Sequence, residues 1–188
     1  DLASACERYF GGVTDRRTML LCGKWMFFYE SFGTVGVPAP IIEFLTKNFP
    51  DELGLGFSKL GMIPDPTSDK HLPLGMAPSK PISDSVGSLA YTCASCHFGK
   101  LPDGRYAVGA PNHDYDYAAQ ILTIAIAPAL GLGAGNASAH DPAAVAKVQP
   151  VIDKLKGNLA LKAQFGAKLL PLLSVGNPGM TEEVEAKY

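Results

Sequence analysis

The chain has 188 residues, with 16 Lys and Arg against 18 Asp and Glu and a formal net charge of −2. Hydrophobic residues make up 47%, enough for a real core, and there is no basic excess of the kind a nucleic-acid partner demands. No run of ~18 strictly apolar residues exists, as a membrane span demands; Met19 to Phe28 is short and carries Lys24.

Residues 1–32 read as helical. Asp15 is placed to cap a helix through RRTMLLCGKWMFFYESF that ends at Gly33. Apolar residues surround that helix, which predicts burial on several sides, with Trp25, Phe27, Phe28 and Tyr29 in the core. A short helix follows from about Pro40 to Asn48, and Pro50 ends it. Residues 50–83 are punctuated by Gly and Pro and keep neither helical nor alternating period. They are expected as a long ordered loop that wraps a cofactor or links domains.

SDSVGSLAYTCASCH is expected as a helix capped by Ser83 or Asp84. Pro102-Asp103-Gly104 is a turn signal. DYDYAAQILTIAIAPAL gives an apolar helix that stops near Pro128, and GLGAGNASAH a flexible connector. Asp141-Pro142 opens a helix with Val145, Val148, Ile152 and Leu155 on one face. NLALKAQFGAKLLPLL is a further helix ending near Pro171, and TEEVEAKY looks like the first turns of another. No repeat and no hairpin is expected. The start without Met and the helical end together point to a processed terminus or a piece of a longer protein.

Four cysteines are present. Cys6 and Cys22 are either a disulfide or two buried thiols, and spacing alone leaves both open. Cys93, Cys96 and His97 form C-A-S-C-H. Two thiols at this spacing can add across the two vinyl groups of one haem, and the adjacent His then lies under the iron. A thioredoxin-like redox pair would need a βαβ pattern, and a zinc finger a second ligand pair; neither is present. One covalent haem c, bound through Cys93 and Cys96 with His97 as proximal ligand, is therefore expected. Because haem c is made outside the cytoplasm, export to the periplasm or another extracytoplasmic space is expected with it.

The sixth ligand decides between a carrier and an enzyme. His113, sixteen residues beyond His97 and after the turn VGAPN, is the favoured candidate, with Met180, Met76 and His71 as rivals. Met19, Met26 and Met62 read as core or turn residues. Arg105 can pair a haem propionate or stand as a solvated turn residue. Tyr106, Tyr115 and Tyr117 can pack against the haem or simply fill core. His113-Asp114 and His140-Asp141 are neighbours in sequence, which does not make a catalytic triad. No phosphate-binding motif follows Gly54 and Gly56.

Leu72 to Met76, then Cys93 to His97, then Gly104 to Pro111 together resemble the first-haem region of bacterial di-haem cytochrome c peroxidases. The segment is similar also to that of the c-type haem oxygenases that cleave rubber. The likeness covers roughly a quarter of the chain. It implies a distal His at the distance of His113 in the peroxidases, and an oxygen-binding first haem in the oxygenases. One departure is decisive: such enzymes need a second Cys-x-x-Cys-His, and these 188 residues contain one.

The fold expected is mainly α: a cytochrome c-like helical haem domain over 84–188, with 1–83 as an extension of helices and Pro/Gly-rich loops, the two forming one compact unit. The function expected first is an exported mono-haem cytochrome that passes single electrons to a redox protein or a larger electron-transfer complex. The alternatives are a peroxidase- or oxygenase-like domain with an open iron, and a haem-bearing subunit or fragment of a multi-haem assembly.

Overall fold

The computed structural model of the chain describes residues 1–31, 36–133, 141–169 and 171–172. Of these residues 57% are helical and 15% lie in strands, so the protein is mainly helical, with a small sheet. Met180, His140, the connector 134–140 and the helical pattern of TEEVEAKY lie outside the described residues.

The chain opens with α1 (Leu2–Phe10) and α2 (Arg16–Tyr29), tied together by a disulfide between Cys6 and Cys22. That settles the pairing the sequence leaves open. Asp15 caps α2 as expected, accepting from the backbone N–H of Arg17 and Thr18. Its carboxyl is held below the usual carboxylate range, first by the hydroxyl of Thr18 and then by these amides. The predicted all-round burial of α2 is corrected: Thr18, Cys22 and Phe28 are buried, while Met19, Leu20 and Met26 are exposed. Trp25, Phe27 and Tyr29 are half-buried.

A short strand, β1 (Val37–Pro38), leads into α3 (Ala39–Asn48), which places Ile41, Ile42, Phe44 and Leu45 in the core. Residues 50–83 hold more order than their punctuation suggests. They contain α4 (Pro50–Leu53), a tight turn over Leu55–Leu60, a bridge between Pro64 and Pro73, and β2 (Met76–Ser83).

The helix expected over residues 83–97 is instead mostly strand. β3 (Val86–Tyr91) pairs antiparallel with β2 and, on its other side, with β1, so β3 is central and β2 is an edge. The hairpin escapes a sequence pattern for two physical reasons. Pro78 and Pro81 are tolerated because β2 is an edge strand. Ser88, Leu89 and Ala90 are all buried, because both faces of β3 are covered, and this erases the alternation. Only α5 (Cys93–His97) is helical here, and its cap is Thr92. A second small hairpin follows, β4 (Phe98–Lys100) with β5 (Tyr106–Val108), around the predicted turn at Pro102-Asp103-Gly104.

Pro128 does not stop the next helix. α6 (Tyr117–Ile121) passes through a π turn (Leu122–Ile126) into α7 (Ala127–Leu132), with Pro128 in its first turn. Proline removes one donor and crowds the preceding turn, and a widened π turn ahead of it accommodates both. α8 (Pro142–Gly157) is capped by Asp141 and buries Val145, Val148, Ile152 and Leu155, the face read from the sequence. α9 (Leu159–Lys168) ends the described helices. The core joins α3, β2, β3, α7, α8 and Phe165 of α9, drawing on both sides of residue 83.

Candidate functional site

α5 is one and a half turns long, too short to hold itself in water. Its neighbours hold it. The hydroxyl of Thr92 accepts from the N–H of Ala94 at 3.3 Å and donates to the Phe28 carbonyl of α2 at 3.2 Å. The Thr92 N–H donates to the Gly75 carbonyl at 2.9 Å. Gly75 has φ +90°, and a Cβ there would lie 2.3 Å from the Ser95 nitrogen, so only glycine fits beneath the motif.

The carbonyls at the end of a helix lack partners of their own. Here the chain returns to supply them. The N–H of Asn112 donates to the Cys96 carbonyl at 2.8 Å, and that of Gly109 to the His97 carbonyl at 2.7 Å. The Asn112 side chain donates to Ser95 at 3.5 Å and to Gly61 at 2.9 Å. A Cβ on Gly99 would sit 2.0 Å from the Pro111 carbonyl oxygen, so the returning chain packs directly on the residue after Phe98.

Residues three and four apart share a helix face. On α5 this sorts the motif cleanly. Ala94 and Ser95 are buried, whereas Cys96 and His97 are exposed and Cys93 is half-buried. Both motif thiols are free. Aromatic side chains flank them. Phe98 packs edge-on against the buried Phe28 at 4.9 Å and stacks on Tyr106 at 5.5 Å. Tyr106 and Val108 of β5 and Tyr117 of α6 are about half exposed, at 49%, 52% and 54%.

Tyr91 stands two residues before Cys93, and the Tyr115 N–H donates to the Asn112 carbonyl at 3.4 Å, next to the Asn112 N–H that reaches the Cys96 carbonyl. Burial is the main cause that pushes the Tyr91 phenol up to about 12; neighbouring Tyr117 and Cys96 add to it, and a hydrogen bond with Tyr115 offsets part. Burial raises Tyr115 further still. Both phenols stay neutral at any physiological pH.

The arrangement fits a covalent haem. Two free thiols, one half-buried and one exposed, share a helix face with an exposed imidazole, beside rings that can cover a flat apolar group. Among the described residues no group of three or more His, Cys, Asp or Glu converges on a metal position. Haem attachment asks for something different, since the motif thiols would bond to vinyl carbons and His97 is the one motif residue that would meet the iron.

The other candidates are scattered. His113 is exposed and follows Asn112, whose N–H donates to the Cys96 carbonyl. His71 is exposed at φ +56° and lines a cleft of about 420 Å³ with Glu43, Lys47 and Lys70; no motif residue lines that cleft. Met76 is buried, with its sulfur 3.7 Å from Nε2 of Gln120. Met62 is also buried. Arg105 is solvent-exposed and paired with Asp103 at 2.7 Å, and this partner holds the Asp103 carboxyl below the usual range. Sequence reasoning missed Thr92, Asn112 and Gln120. Gln120 left one signal, a lone amide in the otherwise apolar run YAAQILTIAIAPAL.

No protein-family model, curated protein or solved structure was found to match the chain.

Proposed function

We propose that the chain is an exported mono-haem c-type cytochrome that carries single electrons. The observation that supports this best is that Cys93, half-buried, shares one helix face with the exposed Cys96 and His97, with both thiols free and Ala94 and Ser95 buried. On this reading the thiols become thioethers and His97 is the proximal ligand. Bound there, the haem supplies a one-electron iron couple whose potential follows its axial ligands and surroundings.

The protein's own part is to bind, orient and shield. Thr92, Gly75 and Asn112 fix α5, so that the three motif side chains keep one orientation. Phe98 and Tyr106 offer a ring surface anchored to α2 through Phe28. His113 is the proposed sixth ligand. Arg105 is the cation near the motif that can meet a propionate, exchanging its ion pair with Asp103. The fold is proposed as a variant of the helical cytochrome c domain, and the site of action as the periplasm or another extracytoplasmic space. The partner is a redox protein or a larger electron-transfer complex. No described helix is long and apolar enough to cross a membrane.

Carbon monoxide tests the carrier reading. Added to the dithionite-reduced protein, it should leave the Soret band in place, because two protein ligands hold the iron. His113→Ala should then show a shift. A shift in the unmutated protein would point to an open distal site and put the peroxidase- or oxygenase-like reading first.

A further inference from the structure

Gln120 is 0% exposed and fully enclosed by partners from other elements. Its Oε1 accepts from the Tyr91 hydroxyl at 3.3 Å and also from the Tyr115 hydroxyl. Its Nε2 donates to the Met76 sulfur at 3.7 Å. Tyr91 ends β3, two residues before Cys93, and Tyr115 stands two residues after His113. One amide therefore ties the strand that enters the motif to the loop that leaves it. Tyr117 packs edge-on against both phenol rings, at 5.7 and 6.1 Å. The π turn begins two residues beyond Gln120.

Burying an amide and two phenols is costly unless each finds a partner, and a satisfied network of this kind becomes rigid. Apolar side chains would fill the same space at lower risk. Tyr91 runs directly into Thr92, the cap of α5, and the Tyr115 N–H donates at 3.4 Å to the carbonyl of Asn112, whose own N–H holds the Cys96 carbonyl; this placement against α5 suggests what the polar choice does. We infer that Gln120 is a positioning residue for the haem site, holding the Tyr91 and Tyr115 rings as a closed wall beside the Cys96 thioether and so limiting the water that the haem edge meets. This rests on the haem reading above. Water favours the more highly charged ferric form, so a closed wall raises the midpoint potential.

The test uses the full chain matured with haem. Covalent haem content is measured first from the pyridine haemochrome, and the midpoint potential then by redox titration. Gln120→Leu should keep the haem content and lower the potential, since the two phenols lose their acceptor and turn to water. Gln120→Glu, titrated at a pH where its carboxyl is protonated and compared with the wild type at that pH, retains acceptor and donor and should restore the wild-type value. An unchanged potential in Gln120→Leu, or an equal drop in Gln120→Glu, overturns the inference while the haem reading stands. If Gln120→Leu does not accumulate, Tyr115→Phe keeps the ring and removes one donor. It should lower the potential, and a wild-type value overturns the inference. A wild-type chain without covalent haem overturns the haem reading itself, before any variant is compared.

Discussion

Tyr91 and Tyr115 show what a single side chain contributes here, because their protons are linked to folding. An unfolded chain releases tyrosine protons near pH 10, while the folded chain holds that of Tyr91 up to about 12. The folded state then binds more protons between these values, so stability falls as pH rises. The contribution is whole below pH 10 and is lost toward pH 12. Urea unfolding at a series of alkaline pH values should show the decline begin near pH 10, and it should be shallower in Tyr91→Phe. Legibility at this scale follows the chemistry. Cys93, Cys96 and His97 stand out because the haem attachment proposed for them would demand this order and spacing. Gln120 does not, because its partners come from positions 76, 91 and 115, and only folding brings these together. Arg105 is visible as a charge near the motif, but its pairing with Asp103 is a property of the turn geometry.

The elements depend on a few polar anchors more than on intrinsic propensity. α5 has five residues, and Thr92 secures it by capping Ala94 and donating to Phe28. Thr92→Val keeps the shape and removes both bonds. It should cost about 1–2 kcal/mol in chemical denaturation, with the loss of amide protection concentrated in residues 93–97. A uniform loss across α8 and α9 as well would mean that Thr92 supports the core in general. Asp116 plays the corresponding part for α6, capping Ala119 and pairing with Lys147 of α8. Its carboxyl is held below the usual range, first by Lys147 and then by the Ala119 amide. The long helices were readable from period and caps, as with Asp15 for α2 and Asp141 for α8. The β2–β3 hairpin was not, because edge prolines and two-sided burial hide strand signals. The π turn was not, because it is the fold's accommodation of Pro128 rather than a pattern in the residues before it.

Across the whole molecule, the α1–α2 hairpin is joined to the motif by rings and to itself by a disulfide. Phe28 of α2 packs on Phe98, and the Phe28 carbonyl accepts from Thr92. The Cys6–Cys22 bond closes a loop with a sequence separation of 16. Cross-linking a loop of this size stabilises a chain by about 3 kcal/mol in the chain-entropy view. Reduction, or Cys6→Ala with Cys22→Ala, should therefore lower the denaturation midpoint by an amount of that order. On the proposed haem reading it should leave the haem spectrum unchanged in native buffer, because the motif's own anchors remain.

The most direct measurement is the covalent haem content of the chain matured in a host that makes haem c, compared with Cys93→Ala/Cys96→Ala. The account predicts one haem per wild-type chain that stays attached after denaturation and acid extraction, and none in the double variant. A wild-type chain that folds and carries no covalent haem would contradict it.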